Sequence, residues 1–183
     1  TLGAFDTLIQ EGKVRYIGCS NFPAWRIAEA QFTARGINTH AFVSCQDEYS
    51  LIVRDIEKDL LPAAQAYNLG LLPFFPLASS LLTGKYKRGE KPSADSRFGK
   101  VTSLGERYMT DRNFDIVAKL QDFANAHGKT MIELAFSWLA ARPQVSSVIA
   151  GASSAEQIEQ NAKAINWKLT ADEMAQIDKI TLG

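Results

Sequence analysis

Four short runs of β-forming residues, each divided from the next by helical sequence, constrain this chain more than any other feature. They lie at 14–19, 41–46, 71–75 and 146–149. The stretches between them repeat apolar residues at three- and four-residue spacing, the period of a helix with one buried face. This pattern predicts helices at 2–11, 23–34, 54–67, 111–127, 130–141 and 154–164, and a last one opening at 170. Gly12, Gly36, Gly70 and Gly128 stand where those helices should stop. Thr170 and Glu173 have capping-box spacing, as do Ser154 and Gln157. Residues 76–110 read as one long loop rich in Gly, Ser, Lys and Arg.

Short apolar strands alternating with helices imply an α/β fold whose parallel sheet is buried on both faces. Four strands suit two architectures. One is a small, open, doubly wound sheet. The other is half of an eight-stranded (β/α)8 TIM barrel, a fold of about 250 residues. Both put ligands at the carboxyl ends of the strands. Those ends are Ser20-Asn21, Gln46-Asp47-Glu48, Phe74-Phe75-Pro76 and Gly151-Ala152-Ser153.

Composition narrows the partners. Twenty Lys and Arg balance twenty Asp and Glu, which argues against a nucleic-acid or anionic-membrane footprint. No apolar run nears the ~20 residues of a membrane span. The opening residues lack the pattern of a secretory signal, so a cytoplasmic location is expected. Cys19 and Cys45 are too few for a disulfide scaffold and are expected as buried free thiols. The first residue is Thr, and the chain is expected to lack an N-terminal part.

The strand ends offer amides, hydroxyls, aromatic faces and backbone N–H groups. Asn21 and Gln46 carry the donors and acceptor to hold a carboxamide. Phe74 can stack on a planar ring. Gly151 to Ser154 lead into a helix N-terminus, a natural place for a phosphate. Each has a plain alternative: Asn21 as a helix cap, Phe74 as core, Ser154 and Gln157 as a capping box. Acid–base chemistry does not assemble. His40 precedes a strand at its amino end, and His127 sits in the last turn of a helix. No metal-ligand spacing, nucleophile elbow, Walker loop or G-x-G-x-x-G occurs.

Four segments, in order, resemble the aldo-keto reductases. Residues 12–22, Gly-Lys-Val-Arg-Tyr-Ile-Gly-Cys-Ser-Asn-Phe, are similar to the fifth-strand motif of that family. Gln46-Asp47-Glu48-Tyr49-Ser50-Leu51 resembles the sixth-strand segment. Phe74-Phe75-Pro76-Leu77-Ala78 with Leu81-Leu82-Thr83-Gly84-Lys85-Tyr86 resembles the seventh-strand loop. Residues 148–157, followed by Asn161, resemble the eighth-strand cofactor segment. The resemblance covers essentially the whole chain and points to the bacterial and potassium-channel β-subunit-like branch.

The resemblance implies that residues 1–183 form the C-terminal, cofactor-binding half of a (β/α)8 barrel. It implies an enzyme that reduces aldehydes or ketones with NADP(H), or alternatively NAD(H). Ser20, Asn21 and Gln46 match the positions that hold the nicotinamide carboxamide, and Phe74 matches the aromatic that stacks on the nicotinamide. Phe75, in place of the usual Ser, and Pro76 follow it in the same motif. Leu77, Ala78 and Lys85 match positions beside the pyrophosphate. Gly151, Ser153, Gln157, Gln160 and Asn161 match positions around the adenosine. Many members place a cation at the positions of Gly151, Ser153 or Gln157, and here all three are uncharged. A compensating cation would come from Arg97 or Lys100 of the long loop. The family's Asp, Tyr, Lys and His tetrad lies on strands two to four, outside this sequence. The chain alone is therefore expected to be inactive. The partners implied are a small carbonyl substrate and the N-terminal half-barrel, or a second copy of the chain. An open half-barrel is also expected to expose a large apolar face and to self-associate. The alternative to an enzyme is a nucleotide-binding or self-associating half-barrel module.

Overall fold

A computed structural model describes residues 1–182. In chain order the helices and strands are α1 (Leu2–Gln10), β1 (Gly18–Ser20), α2 (Ala24–Gly36), β2 (Ser44–Gln46), α3 (Leu60–Ala66) and β3 (Gly70–Leu71). Then follow α4 (Arg97–Lys100), α5 (Thr102–Tyr108), α6 (Asp111–Ala126), α7 (Met131–Ala140), α8 (Ala155–Lys163) and α9 (Ala171–Leu182). A 3-10 segment occupies Asp55–Glu57, and short 3-10 turns joined at a kink at Ser79 and Ser80 occupy Ala78–Thr83. No helix among the described residues is long and apolar enough to cross a membrane.

The strands form a parallel sheet in the order β1-β2-β3. Cys19 pairs with Cys45, and Cys45 with Leu71, in register. All three point into the core, where they join Ile27 of α2, Leu60 and Ala64 of α3, and Leu134 and Trp138 of α7. The neighbouring positions Gly18, Ser20, Ser44, Gln46 and Gly70 stay partly or fully exposed. The sheet is thus covered on one face, not on both as its sequence pattern suggested. The open face carries glycine and polar side chains, and its rows nest closely. A Cβ on Gly18 would lie 2.4 Å from Ser44 Oγ, and one on Gly70 would lie 2.3 Å from Ser146 Oγ.

The fourth expected strand, 146–149, does not form, and the single bridge there pairs Leu71 with Val145, the residue before it. Leu71 N–H donates to the Gln144 carbonyl (2.7 Å), and Ser146 N–H donates to the Leu71 carbonyl (2.9 Å). The next rung would need an N–H from residue 73, which is proline. The Pro73 carbonyl instead accepts from Ile149 N–H (2.9 Å), and no second bridge forms among the described residues. The expected helix at 54–67 also divides, because Pro62 can sit only in a first helical turn. The expected loop at 76–110 contains the 3-10 segment, α4 and α5, all pinned by buried Tyr86, Phe98 and Tyr108.

Local chemistry sets the helix ends. Thr130 and Glu133 form a reciprocal capping box. Thr170 N–H donates to Glu173 Oε2 (2.6 Å), and Glu173 N–H donates to Thr170 Oγ1 (3.2 Å). Helix α2 is preceded by Pro23 and has no side-chain cap, so Asn21 does not act as one. His40 is tied to the far end of the sheet: its N–H donates to Asp6 Oδ1 (2.9 Å), and its Nδ1 lies 2.6 Å from the same oxygen. These bonds hold the Asp6 carboxyl below its usual range.

One half-buried ion network joins distant parts of the chain. Arg54, whose side chain is 7% exposed, donates to both oxygens of Glu57, to Asp178 Oδ1 (2.8 Å) and to Thr181 Oγ1 (2.7 Å). Its guanidinium lies 5.0 Å from the Trp138 ring. Tyr49 donates to Glu57 Oε1 (2.6 Å). Removing Arg54 strips Glu57 of its bidentate partner in a partly dry site and leaves Arg142, 3.0 Å from Asp178 Oδ1 and 4.0 Å from Glu57 Oε1, to balance both carboxylates. Arg54→Met should lower the unfolding free energy by about 3 kcal/mol in urea denaturation. An unchanged midpoint would show that Arg142 and water satisfy these carboxylates.

Candidate functional site

A cavity of about 520 Å³ opens beyond β3, between residues 74–80 and 149–157. It begins where the ladder fails at Pro73, so the two segments diverge directly after their last shared hydrogen bond. One wall is made by Phe74 and Phe75, whose rings meet edge to face at 5.2 Å. The other is the approach to α8, from Ile149 to Ser153, with Gln157.

The floor is a run of left-handed backbone without glycine. Phe75 has φ 52°, and Ala78, Ser79 and Ser80 have φ 46°, 54° and 88°. Such conformations cost on the order of 1–3 kcal/mol each and survive only where surrounding structure enforces them. Here Ala78 N–H donates to the Phe75 carbonyl (2.8 Å), and Ser80 N–H donates to the Leu77 carbonyl (2.9 Å). Ala78, Leu81 and Leu82 are buried behind the turn. Ala78 and Ser80 N–H are spent inside the turn, and the right-handed Leu77 followed by the left-handed Ala78 has the backbone pattern of an anion-favouring nest, where the N–H groups of Leu77 and Ser79 have no partner among the described residues.

The long connecting segment brings Arg97 to the cavity rim. Its guanidinium carbon lies 5.8 Å from the Phe75 ring centroid, and Nε donates to Ser79 Oγ at 3.4 Å. Among the described residues Arg97 forms no ion pair, so its charge is available to a ligand. Ser153 and Gln157 make a closed local unit. Gln157 Oε1 accepts from Ser153 N–H (2.8 Å) and Ser153 Oγ (3.2 Å). Ser154 Oγ caps α8 by accepting from Gln157 N–H (3.3 Å). The expected capping box is therefore shifted: Gln157 reaches Ser153 rather than Ser154.

Ser20, Asn21 and Gln46 gather at the ends of β1 and β2. Asn21 N–H and Ser20 Oγ both donate to the Gln46 carbonyl, at 3.1 and 2.9 Å. Asn21 has φ 56°, and its Nδ2 donates to Ser20 Oγ (3.1 Å). Of the residues singled out from sequence, the cavity collects Phe74, Phe75, Pro76, Leu77, Gly151, Ser153 and Gln157, and of the two loop cations it takes Arg97 and not Lys100. Ser20, Asn21 and Gln46 form their own cluster at the neighbouring strand ends. Ala78 is buried behind the cavity, and Lys85 places Nζ 5.1 Å from the Tyr86 ring. Gln160 and Asn161 lie further along α8, where Asn161 Nδ2 donates to the Gly151 carbonyl (3.4 Å). Ser79 and Ser80 line the cavity although nothing in their sequence context marked them, since a left-handed serine leaves no periodic signature.

The cavity can bind but is poor in proton chemistry: its lining contains no His, Cys, Tyr, Asp or Glu. The unusual titratable group lies behind the strand ends. Asp47 is 5% exposed, and its Oδ2 lacks a hydrogen-bond partner among the described residues. Burial pushes its carboxyl up to about 6. Burial, then the nearby Asp47, pushes the free thiols of Cys19 and Cys45 up to about 11 and about 12. Both stay protonated and unreactive at neutral pH.

The pH dependence follows from Asp47. Between the ordinary aspartate value and about 6, the folded chain holds a proton that the unfolded chain has released. Asp47 therefore makes stability fall as pH rises through that window. In thermal melts, the Tm of Asp47→Asn relative to the parent should rise from pH 4 to pH 7. A constant difference would refute the assignment.

The whole described chain, residues 1–182, matches the family model of the aldo/keto reductases. A Schizosaccharomyces pombe protein named for a voltage-gated potassium channel subunit beta is 39% identical over 183 residues, covering 97% of this chain and 53% of that protein. An Arabidopsis thaliana protein named in the same way is 37% identical, over 91% of this chain and 51% of its own length. The L-glyceraldehyde 3-phosphate reductase of Escherichia coli K12 is 35% identical, over 98% and 53%. The chain spans about half the length of the curated relatives it matches. Family model and relatives agree across nearly every element described above, and the chain belongs to the aldo/keto reductase family.

Proposed function

We propose that this chain supplies the nicotinamide-dinucleotide-binding half of an oxidoreductase that reduces aldehydes or ketones to alcohols. The observation that carries the reading is the cavity at the strand ends. It joins aromatic faces, a tight turn with the N–H groups of Leu77 and Ser79 free of partners among the described residues, and an unpaired cation, Arg97. Those are the three surfaces that a planar ring linked to a pyrophosphate requires.

Ser20, Asn21 and Gln46 would hold a carboxamide, and Phe74 would cover the ring beside it. Leu77 and Ser79 would offer backbone N–H groups to the diphosphate from the turn that Ala78 and Ser80 close, with Arg97 balancing its charge. Gly151, Ser153, Gln157, Gln160 and Asn161 would take the adenosine. NADP(H) is the cofactor that the family reading favours. NAD(H) is supported by the neutral Gly151, Ser153 and Gln157, which give a 2′-phosphate no cation. When bound, the dinucleotide supplies the hydride. This chain's residues orient the ring and shield it from water. The proton for the developing alkoxide has no donor in the cavity, so turnover needs groups from outside residues 1–182. The same lack of an acid supports the second reading, a dinucleotide-binding module without turnover. Two free, inert thiols suit a reducing cytoplasmic setting.

Fluorescence titration with NADPH and NADH tests the reading directly. Saturable binding is expected. Arg97→Ala should weaken it by about tenfold or more, since a charge-assisted bond is worth roughly 1.5–3 kcal/mol. It should also flatten the salt dependence of the affinity. Failure of a folded chain to bind either dinucleotide would overturn the proposal. Carbonyl-dependent oxidation of NADPH by this chain alone would overturn the need for an external acid.

A further inference from the structure

We propose that Glu48 is a positioning residue that holds Arg97 over the cavity through the stacked rings of Tyr108 and Phe98. The inference deepens the dinucleotide reading above and rests on it for its functional meaning.

The backbone of Glu48 is fixed to the cavity wall, because Glu48 and Phe74 form a parallel bridge just beyond β2. Its carboxylate faces the other way along the connecting segment. The side chain is only 14% exposed, and it accepts from Arg107 Nη2 (2.6 Å) and from the Tyr108 hydroxyl. Both donors stand in the last turn of α5. Tyr108 is 1% exposed and stacks on Phe98, with centroids 6.1 Å apart and planes 19° apart. Phe98 stacks in turn on Tyr86 at 4.4 Å, and Phe98 N–H donates to the Tyr86 hydroxyl (3.4 Å). Arg97 is the residue before Phe98.

Helix α4 has only four residues and cannot hold its shape unaided. The direction in which Arg97 leaves it depends on where the Phe98 ring is clamped. That ring is clamped between Tyr86 and Tyr108, and Tyr108 is anchored to the sheet by Glu48. The segment's other charged tie, Arg88 to Asp115 and Asp111, joins it to α6 and is exposed on both sides. Exposed pairs of that kind contribute little. The partly buried Glu48 clasp therefore sets the register between the cation and the cavity floor.

A double-mutant cycle read by NADPH titration tests this. With Arg97 present, Glu48→Gln should weaken binding about five- to tenfold and reduce its salt dependence, as Arg97→Ala does. In the Arg97→Ala background the same change should have no further effect. Tyr108→Phe, which keeps the ring and removes the hydroxyl, should give an intermediate loss that likewise vanishes without Arg97. Equal losses in both backgrounds, or no loss in either, would overturn the proposal. Amide exchange provides a readout independent of the ligand. Glu48→Gln should speed exchange at residues 97–108 and leave 113–126 unchanged. If the parent chain binds no NADPH, the dinucleotide reading fails, and the clasp stands or falls on exchange. Unaltered exchange at 97–108 would then refute it.

Discussion

Pro73 has no N–H to give, and much of the molecule's useful geometry follows from that missing donor. A parallel ladder persists only while every second residue exchanges hydrogen bonds with the same neighbouring strand. The pairing between β3 and the segment at 144–149 begins regularly at Leu71 and loses its next rung at Pro73. The two segments then separate, and the space between them becomes the cavity. Had residue 73 carried a donor, the ladder could continue toward Phe75 and fill the place where a ligand would enter. A residue that weakens the sheet is thus what lets the sheet end in a site.

The floor of the cavity shows the same exchange of local comfort for shape. Four non-glycine residues between 75 and 80 are held left-handed, a conformation that an isolated chain would abandon. Buried Ala78, Leu81 and Leu82 and the turn hydrogen bonds hold the floor in place. Behind the strand ends, Asp47 keeps an orphaned carboxylate oxygen in the core, at the joint between the covered face of the sheet and its polar end. Both features are costly, and both stand within a few residues of where the strands stop. That placement is usual for strain and for buried unpaired charge at sites of function.

The sequence revealed the plan more fully than the details. Helix positions were legible because their apolar residues repeat along a face, as in α6 and α7, and because Thr130 and Thr170 carry capping signals. The three strands were legible in place but not in length. The β-formers at 14–16 and 41–42 lie outside the ladder, Ile17 and Val43 sit at its edge through Val43 N–H to the Ile17 carbonyl, and the third strand pairs only at Gly70 and Leu71, the start of its expected run. The open face was misread, since Gly18, Ser20, Ser44 and Gly70 look like ordinary punctuation until their register is known. Seven of the fourteen site residues line one cavity because two motifs, 74–77 and 151–157, converge there. The sequence offers Arg97 and Lys100 alike as the loop cation, and choosing Arg97 needed the fold: its placement depends on Glu48, Tyr108 and Phe98, which are up to 60 positions apart and follow no short-range pattern.

Cys19 and Cys45 sit opposite each other, buried and protonated, where the first strand meets the central one. Their silence has a practical side. A thiol that meets no reagent while β1 and β2 stay joined becomes available when they part. Alkylation of the two sulfurs therefore proceeds at the pace of sheet separation. The cysteines make this chain a carrier of its own clock, recording in covalent adducts how often its middle comes apart, with no label added.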